Sequence, residues 1–185
     1  MKAAYILFDG LTALDFIGVY DPLGRLRTMN VLPEFSWRVC AMTKTVTDDR
    51  GLLFTADTVG ESLAGYDLII IPGGFGTKPL ETDRAFLAWL ATASDVPLKT
   101  SVCTGAMLLG AAGFLGDRPA TTHHNSYADL AYYCTDIRTD RVVDAGDVIT
   151  AGGVSSAISL GLHLVERFAG ADARRIIARQ MDYPY

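Results

Sequence analysis

The stretch Lys99-Thr-Ser-Val-Cys-Thr-Gly-Ala-Met-Leu-Leu-Gly110 passes without a linker from a β-type run to a helix-forming run. The junction is a cysteine followed by Thr104 and Gly105. That grammar places Cys103 on a sharp strand-to-helix turn, the geometry of a nucleophile elbow. The thiol is then expected at the carboxyl edge of a sheet, close to a helix N-terminus. The dipole and free N–H groups there favour an anion. A thiolate so placed can have its pKa lowered from about 8.5 to roughly 3.5–7.5. The competing reading is a buried structural cysteine, because free Cys is among the most buried residue types.

Working outward, residues 3–8 and 67–71 are continuous apolar runs, ended by Asp9-Gly10 and by Pro72-Gly73-Gly74. Such runs predict parallel strands buried on both faces. Residues 37–42 predict another strand, with Cys40 in the core. Residues 11–27 carry helical spacing, with a kink or break expected at Pro22. Residues 45–57 predict a hairpin around Asp49-Arg-Gly51. Residues 81–93 predict a helix capped by Thr82 or Asp83. Residues 120–122 predict a strand fragment ending at His123-His124. Residues 136–143 and 147–151 predict two strands joined tightly at Ala145-Gly146. Helices are expected over 154–168 and 171–181.

Strands alternate with helices throughout. The expected fold is an α/β, flavodoxin-like three-layer sandwich: a mostly parallel sheet with helices on both faces. One domain over residues 1–185 is expected from the length. Ligands on such sheets bind outside the carboxyl ends of strands. Four loops leave such ends, at Asp9-Gly10, residues 72–76, residues 103–105 and residues 151–153, and they should converge.

Composition narrows the function. The chain has 185 residues, 50% hydrophobic and 20% charged, with a formal net charge of −5. An acidic balance argues against a nucleic-acid surface. Arg174, Arg175 and Arg179 read as a solvated helix face. Cys40, Cys103 and Cys134 show neither a disulfide framework nor a zinc spacing, so a reducing cytoplasmic compartment is expected. The apolar run near the N-terminus is too short for a signal segment, and no stretch approaches the roughly 20 apolar residues of a membrane span. No nucleotide motif follows the first strand, and no spacing recommends a metal; no cofactor is expected.

A cysteine nucleophile needs activation. Asp15 sits in the apolar stretch Leu14-Asp-Phe-Ile-Gly18, so it needs a partner or an altered pKa. A partly desolvated Asp15 near the elbow could pass a proton to a substrate; the residues alone favour a capping or salt-bridged aspartate. Asp21 reads as structural. Gly73 and Gly74 could present N–H groups to an oxyanion, and Thr104 a hydroxyl. His123 could approach Cys103, cap a loop or face a subunit partner. His163, in an apolar helical run, reads as a core or surface residue.

Ile71-Pro-Gly-Gly74, Ser101-Val-Cys-Thr-Gly-Ala106, Ala120-Thr-Thr-His123 and Thr150-Ala-Gly-Gly153 together resemble the ThiJ/PfpI superfamily over essentially the whole chain. Within it, Leu14-Asp-Phe-Ile-Gly-Val-Tyr-Asp21 and the Ser-Val-Cys-Thr-Gly elbow are similar to the isonitrile hydratases. The resemblance implies Cys103 as nucleophile, Asp15 as acid/base partner and Thr104 as a positioning residue. It implies a homodimer with active sites near the subunit interface, and a readily oxidised cysteine. Relatives acting as chaperones or deglycases carry Glu where Asp15 stands, and protease-like relatives carry Cys-His-Gly. His163-Leu-Val-Glu166 does not match the late His-x-Glu pair of glutamine amidotransferases. His124 replaces a typical Trp, and the C-terminal extension often seen in the hydratases is not expected.

The implied activity is hydration of an isonitrile to an N-substituted formamide through a cysteine thioimidate. The alternatives are a glyoxalase- or deglycase-like enzyme on reactive carbonyls, and a redox or stress-sensing module related to the N-terminal half of AraC-type regulators. The regulators carry a helix-turn-helix region that is not expected here. A small-molecule substrate is expected, and neither nucleic acid nor membrane.

Overall fold

A computed structural model describes residues 1–184. The described residues form nine strands: β1 (Lys2–Ile6), β2 (Ser36–Ala41), β3 (Thr45–Thr47), β4 (Leu53–Thr55), β5 (Thr58–Val59), β6 (Leu68–Ile71), β7 (Leu98–Val102), β8 (Val142–Asp144) and β9 (Val148–Ala151). Seven of them form one sheet in the order β5-β2-β1-β6-β7-β9-β8, while β3 and β4 pair as a separate antiparallel hairpin. Only β8 runs antiparallel to its neighbour in the large sheet. Every residue of β6, β7 and β9 is buried, as in strands covered on both faces; in β7 this includes Lys99, whose ammonium donates to the carbonyls of Ser94 and Val96.

The helices are α1 (Ala13–Thr28), α2 (Thr77–Leu80), α3 (Arg84–Ala91), α4 (Gly105–Ala111), α5 (Tyr127–Leu130) and α6 (Ser156–Gln180). Right-handed crossovers put α1 on one face and α3 and α4 on the other, and α6, after the last strand, packs against α1. This is the flavodoxin-like sandwich. The chain builds outward from β1 to β2 and β5, then returns to β6 on the other side of β1. That reversal opens a crevice at the carboxyl ends of β1 and β6, where such folds bind ligands.

Several local expectations hold. Asp83 caps α3, accepting from the N–H groups of Ala85 and Phe86 at 2.8 and 3.0 Å. The last helical stretch is two helices meeting at Gly170, whose φ of 86° interrupts α6. Other expectations need correction. Pro22 does not end α1, because Gly161 of α6 packs against its ring and against the Gly18 carbonyl that a residue-22 N–H would otherwise serve. The strand expected at residues 120–122 shrinks to one bridge, Ala120 to Ile137, and β8 begins at Val142 rather than at residue 136. The short α2 and α5 had no sequence signal.

Gly24, inside α1, offers a test of the packing. A Cβ added there would meet only the Trp37 ring, at 4.0 Å. Gly24→Ala is therefore expected to stabilise the chain by about 0.5–1 kcal/mol through lower backbone entropy in the unfolded state. Urea denaturation measures it.

Candidate active site

The four loops converge as expected. Gly76 N–H donates to the Gly10 carbonyl at 3.0 Å, and Thr12 N–H to the Gly73 carbonyl at 2.8 Å. Cys103 N–H is shared between the carbonyls of Ala151 and Gly152, at 2.9 and 3.1 Å. Cys103 itself has a φ of 55°, left-handed backbone that a non-glycine residue adopts only when its surroundings enforce it. Those restraints are the two carbonyls on its N–H and the Thr122 hydroxyl, which donates to the Cys103 carbonyl at 2.7 Å. Thr122 was not singled out from sequence; its place after the cysteine in the Thr-Thr-His run gives no hint of this anchor.

The elbow is deeper than a strand-to-helix turn alone implies. Cys103 is 6% exposed, and Asp15, on the first turn of α1, is fully buried. Asp15 Oδ2 accepts the Gly73 N–H at 2.9 Å. Its Oδ1 is buried without a hydrogen-bond partner, and the carboxyl lies against the Cys103 thiol. Burial raises the Asp15 pKa to about 7; the Gly73 N–H and the thiol oppose this, and the charge of Asp49 adds to it. The same burial, followed by the Asp15 charge, pushes the Cys103 thiol up to about 12, against the pull of the Thr104 N–H and hydroxyl. The expected depression of the thiol is thus overturned: desolvation outweighs a short helix's N–H groups. In the resting site near pH 7 the sulfur is a thiol, and the carboxyl is poised to hold or release one proton.

The expected oxyanion donors are committed elsewhere. Gly73 N–H serves Asp15, and Gly74 N–H donates to Thr104 Oγ1 at 2.9 Å. The Thr104 hydroxyl lies 3.2 Å from the Gly74 carbonyl, to which it donates. Gly73 and Gly74 therefore fix the acid and the hydroxyl. The donor that faces sulfur is the Thr104 N–H, with the hydroxyl beside it able to turn its one proton from the Gly74 carbonyl to sulfur.

Above the thiol opens a cavity of about 460 Å³, walled by Cys103, Thr104, His123, Met107, Phe75 and Val154, among others. The His123 ring rests on Gly153, where a Cβ would stand 2.1 Å from the ring. Its Nδ1 accepts the Asn125 N–H at 3.3 Å, so the neutral ring carries its proton on Nε2. Burial and then the neighbouring His124, stacked at 4.3 Å, lower its pKa and keep it neutral near pH 7. His123 lines the cavity but faces its own turn through Nδ1. His163 lies at the surface against Asp144, at 2.7 Å, and Asp21 pairs with Arg25 at 2.9 Å; neither reaches the cavity.

The tip of the β3–β4 hairpin also reaches the site. Asp49 N–H donates to the Leu11 carbonyl at 2.9 Å, and Thr12 Oγ1 donates to Asp49 Oδ2 at 3.3 Å. Among the described residues, no group of three or more His, Cys, Asp or Glu is placed to hold a metal. No described helix is long and apolar enough to cross a membrane.

The DJ-1/PfpI family profile matches residues 1–167. The chain belongs to the DJ-1/PfpI family. Among proteins of this kind, the isonitrile hydratase of Pseudomonas putida is 34% identical over 185 residues, covering 99% of this chain and 78% of that one. A crystal structure of a ThiJ/PfpI family protein from Pseudomonas syringae superposes with a TM-score of 0.89 at 25% identity, over 100% of this chain and 75% of that one. The helix-turn-helix transcriptional regulator GbdR of Pseudomonas aeruginosa is 22% identical over 182 residues, covering 97% of this chain but 50% of the regulator.

Proposed function

We propose that this protein hydrates isonitriles to N-substituted formamides, with Cys103 as nucleophile and Asp15 as proton carrier. The observation that carries the reading is the buried Asp15 carboxyl, tethered by Gly73 against the thiol and held near neutrality in its proton affinity. The likeness to the Pseudomonas putida hydratase supports the choice of substrate.

The thiol proton passes to Asp15 as sulfur attacks the terminal isonitrile carbon, and Asp15 returns it to that carbon. The product is a thioimidate, R–N=CH–S–Cys103. Thr104 steadies sulfur through its N–H while charge builds there, and its hydroxyl turns from the Gly74 carbonyl to add a second donor. Water then adds across C=N, with Asp15 taking a proton from oxygen and giving one to nitrogen. The tetrahedral adduct collapses to the formamide. The C–S bond breaks, and the hydroxyl proton returns to the sulfur. His123, with an N–H on Nε2, is placed to orient the substrate. Neither metal nor cofactor enters these steps.

The expected result is formamide production by the native chain and none by Cys103→Ser, followed over many turnovers. Retained turnover in Cys103→Ser rejects the nucleophile. The partial-length match to a regulator favours a second reading, a ligand- or redox-sensing module; it predicts stoichiometric change at Cys103 without turnover. Leu14 and Ile17, 44% and 40% exposed on α1, are the surface we assign to a homodimer contact beside the site. Sedimentation measures that state. A cytoplasmic location belongs to the same proposal.

A further inference from the structure

Seven of the described arginines pair with a carboxylate. Arg141 does not, yet its guanidinium is held in place. Its Nε donates to Ser159 Oγ at 2.6 Å and its Nη2 to Ser155 Oγ at 3.1 Å. Two neutral hydroxyls orient the cation without compensating its charge. Among the described residues, no such side-chain hydrogen bond fixes Arg27, Arg38, Arg84 or Arg179, the other arginines that lack a carboxylate.

Arg141 immediately precedes β8, Ser155 is the N-cap of α6, and Ser159 follows one turn on. Together with His163, Arg174 and Tyr183 they wall a hollow of about 670 Å³. The one carboxylate on that wall, Asp140, is exposed and is ion-paired with neither arginine. Arg174 is held by Glu166 at 2.6 Å and His163 by Asp144 at 2.7 Å; neither acid lines the hollow. The charge left to meet a ligand is therefore that of Arg141.

The serines occupy the side edge of the guanidinium, formed by Nε and Nη2. Its end edge, Nη1 with the second N–H of Nη2, has no partner among the described residues. Such an edge is a two-pronged donor that matches two oxygens of one anion. Each serine hydroxyl accepts from Arg141 and keeps its own proton to donate. Tetrahedral phosphate offers more oxygens to these donors than a planar carboxylate does.

From this arrangement we infer that Arg141, with Ser155 and Ser159, forms a binding site for a phosphate group. The site is separate from the reaction cavity, which is lined by Val154 where this hollow is lined by Ser155. It nevertheless abuts the elbow. The Arg141 carbonyl accepts the Gly152 N–H at 3.1 Å, and the Gly152 carbonyl accepts the Cys103 N–H at 3.1 Å. The inference does not depend on which reaction Cys103 performs.

The test is a titration of the intact, nitrogen-15-labelled protein with inorganic phosphate, followed by amide NMR. Ionic strength is held constant with sodium chloride, so that general screening does not change. The Gly152, Ser155 and Ser159 signals are expected to move together and to saturate with a Kd below about 5 mM. Arg141→Gln should weaken binding about tenfold or more, the scale of a lost charge-assisted hydrogen bond. Ser155→Ala keeps the charge but removes one anchor, and should weaken it at least about threefold. If Arg141→Gln fails to fold, Ser155→Ala decides. Phenyl phosphate distinguishes the sources: tighter binding than inorganic phosphate marks a phosphomonoester as the ligand, and equal or weaker binding marks the free ion. Both results support the site. Lack of saturation in the native chain, shifts confined to the loops around residues 73 and 104, or equal affinity for acetate overturns the inference.

Discussion

Asp15→Asn is expected to be more stable than the native chain above neutral pH and to lose hydration of isonitriles. The sign follows from the direction of the shift. Burial raises the native carboxyl from 3.8 to about 7, so the native fold binds a proton that the unfolded chain has released. The stability this group contributes is complete below about pH 4 and is lost as pH rises through 7. Asparagine does not titrate, and its amide oxygen can still accept the Gly73 N–H. The advantage of the variant should therefore be absent in acid, open between pH 4 and 7, and level off near roughly 4 kcal/mol, since one pKa unit is worth about 1.36 kcal/mol. Denaturant midpoints at pH 4, 6 and 8, beside formamide assays, measure both halves. A gap that closes with rising pH would mean that Asp15 is stabilised as a carboxylate and cannot be the proton donor.

Gly105→Ala should unfold the elbow. A Cβ on residue 105 would stand 2.4 Å from the Ile71 carbonyl oxygen and 2.7 Å from that of Pro72. Both are backbone atoms at the end of a fully buried strand, so neither can step aside as a flexible side chain would. The start of α4 must then move away from β6, taking Thr104 and Cys103 with it. A cost of roughly 3 kcal/mol or more is expected for overpacking against backbone. Cys103 should also label faster under native conditions. The comparison with Gly24→Ala is informative because both sites are helical glycines. One gains from a methyl group and the other has no space for it. A native-like midpoint for Gly105→Ala would mean that the Pro-Gly-Gly loop does not clamp the elbow.

The parts of this molecule that sequence reveals are those fixed by neighbours along the chain. Continuous apolar runs marked β1 and β6, and a short β-type run ending in the cysteine-glycine junction marked the elbow. Asp83 announced its cap by chemistry alone. The parts that escaped depend on residues far apart. The depth of Cys103 is set by loops after β1, β6 and β9, so a local dipole argument predicted the wrong direction for its pKa. Gly73 and Gly74 have free N–H groups in any isolated turn; here Asp15 and Thr104, 58 and 30 residues away, occupy them. Asp49 lies at the tip of a hairpin that sequence predicted, but nothing local showed that this tip reaches the site. Pro22 reads as a helix breaker until the glycine facing it on α6 is known. The short α2 and α5 are too brief to carry a periodicity.

The crossing of α1 and α6 has a bearing on how this protein could change over generations. A Cβ on Gly18 would come within 2.6 Å of the Ala157 side chain, and one on Gly161 within 2.8 Å of the Pro22 ring. These small residues set how close α1 sits, and α1 carries the acid. Bulkier replacements would be felt as a displaced Asp15 carboxyl rather than as a hole in the fold. A laboratory selection for altered turnover should therefore collect changes at positions 18, 157 and 161, behind the sheet, as readily as at the cavity wall. Those changes should arrive in compensating pairs, since one helix can only thicken where the other thins.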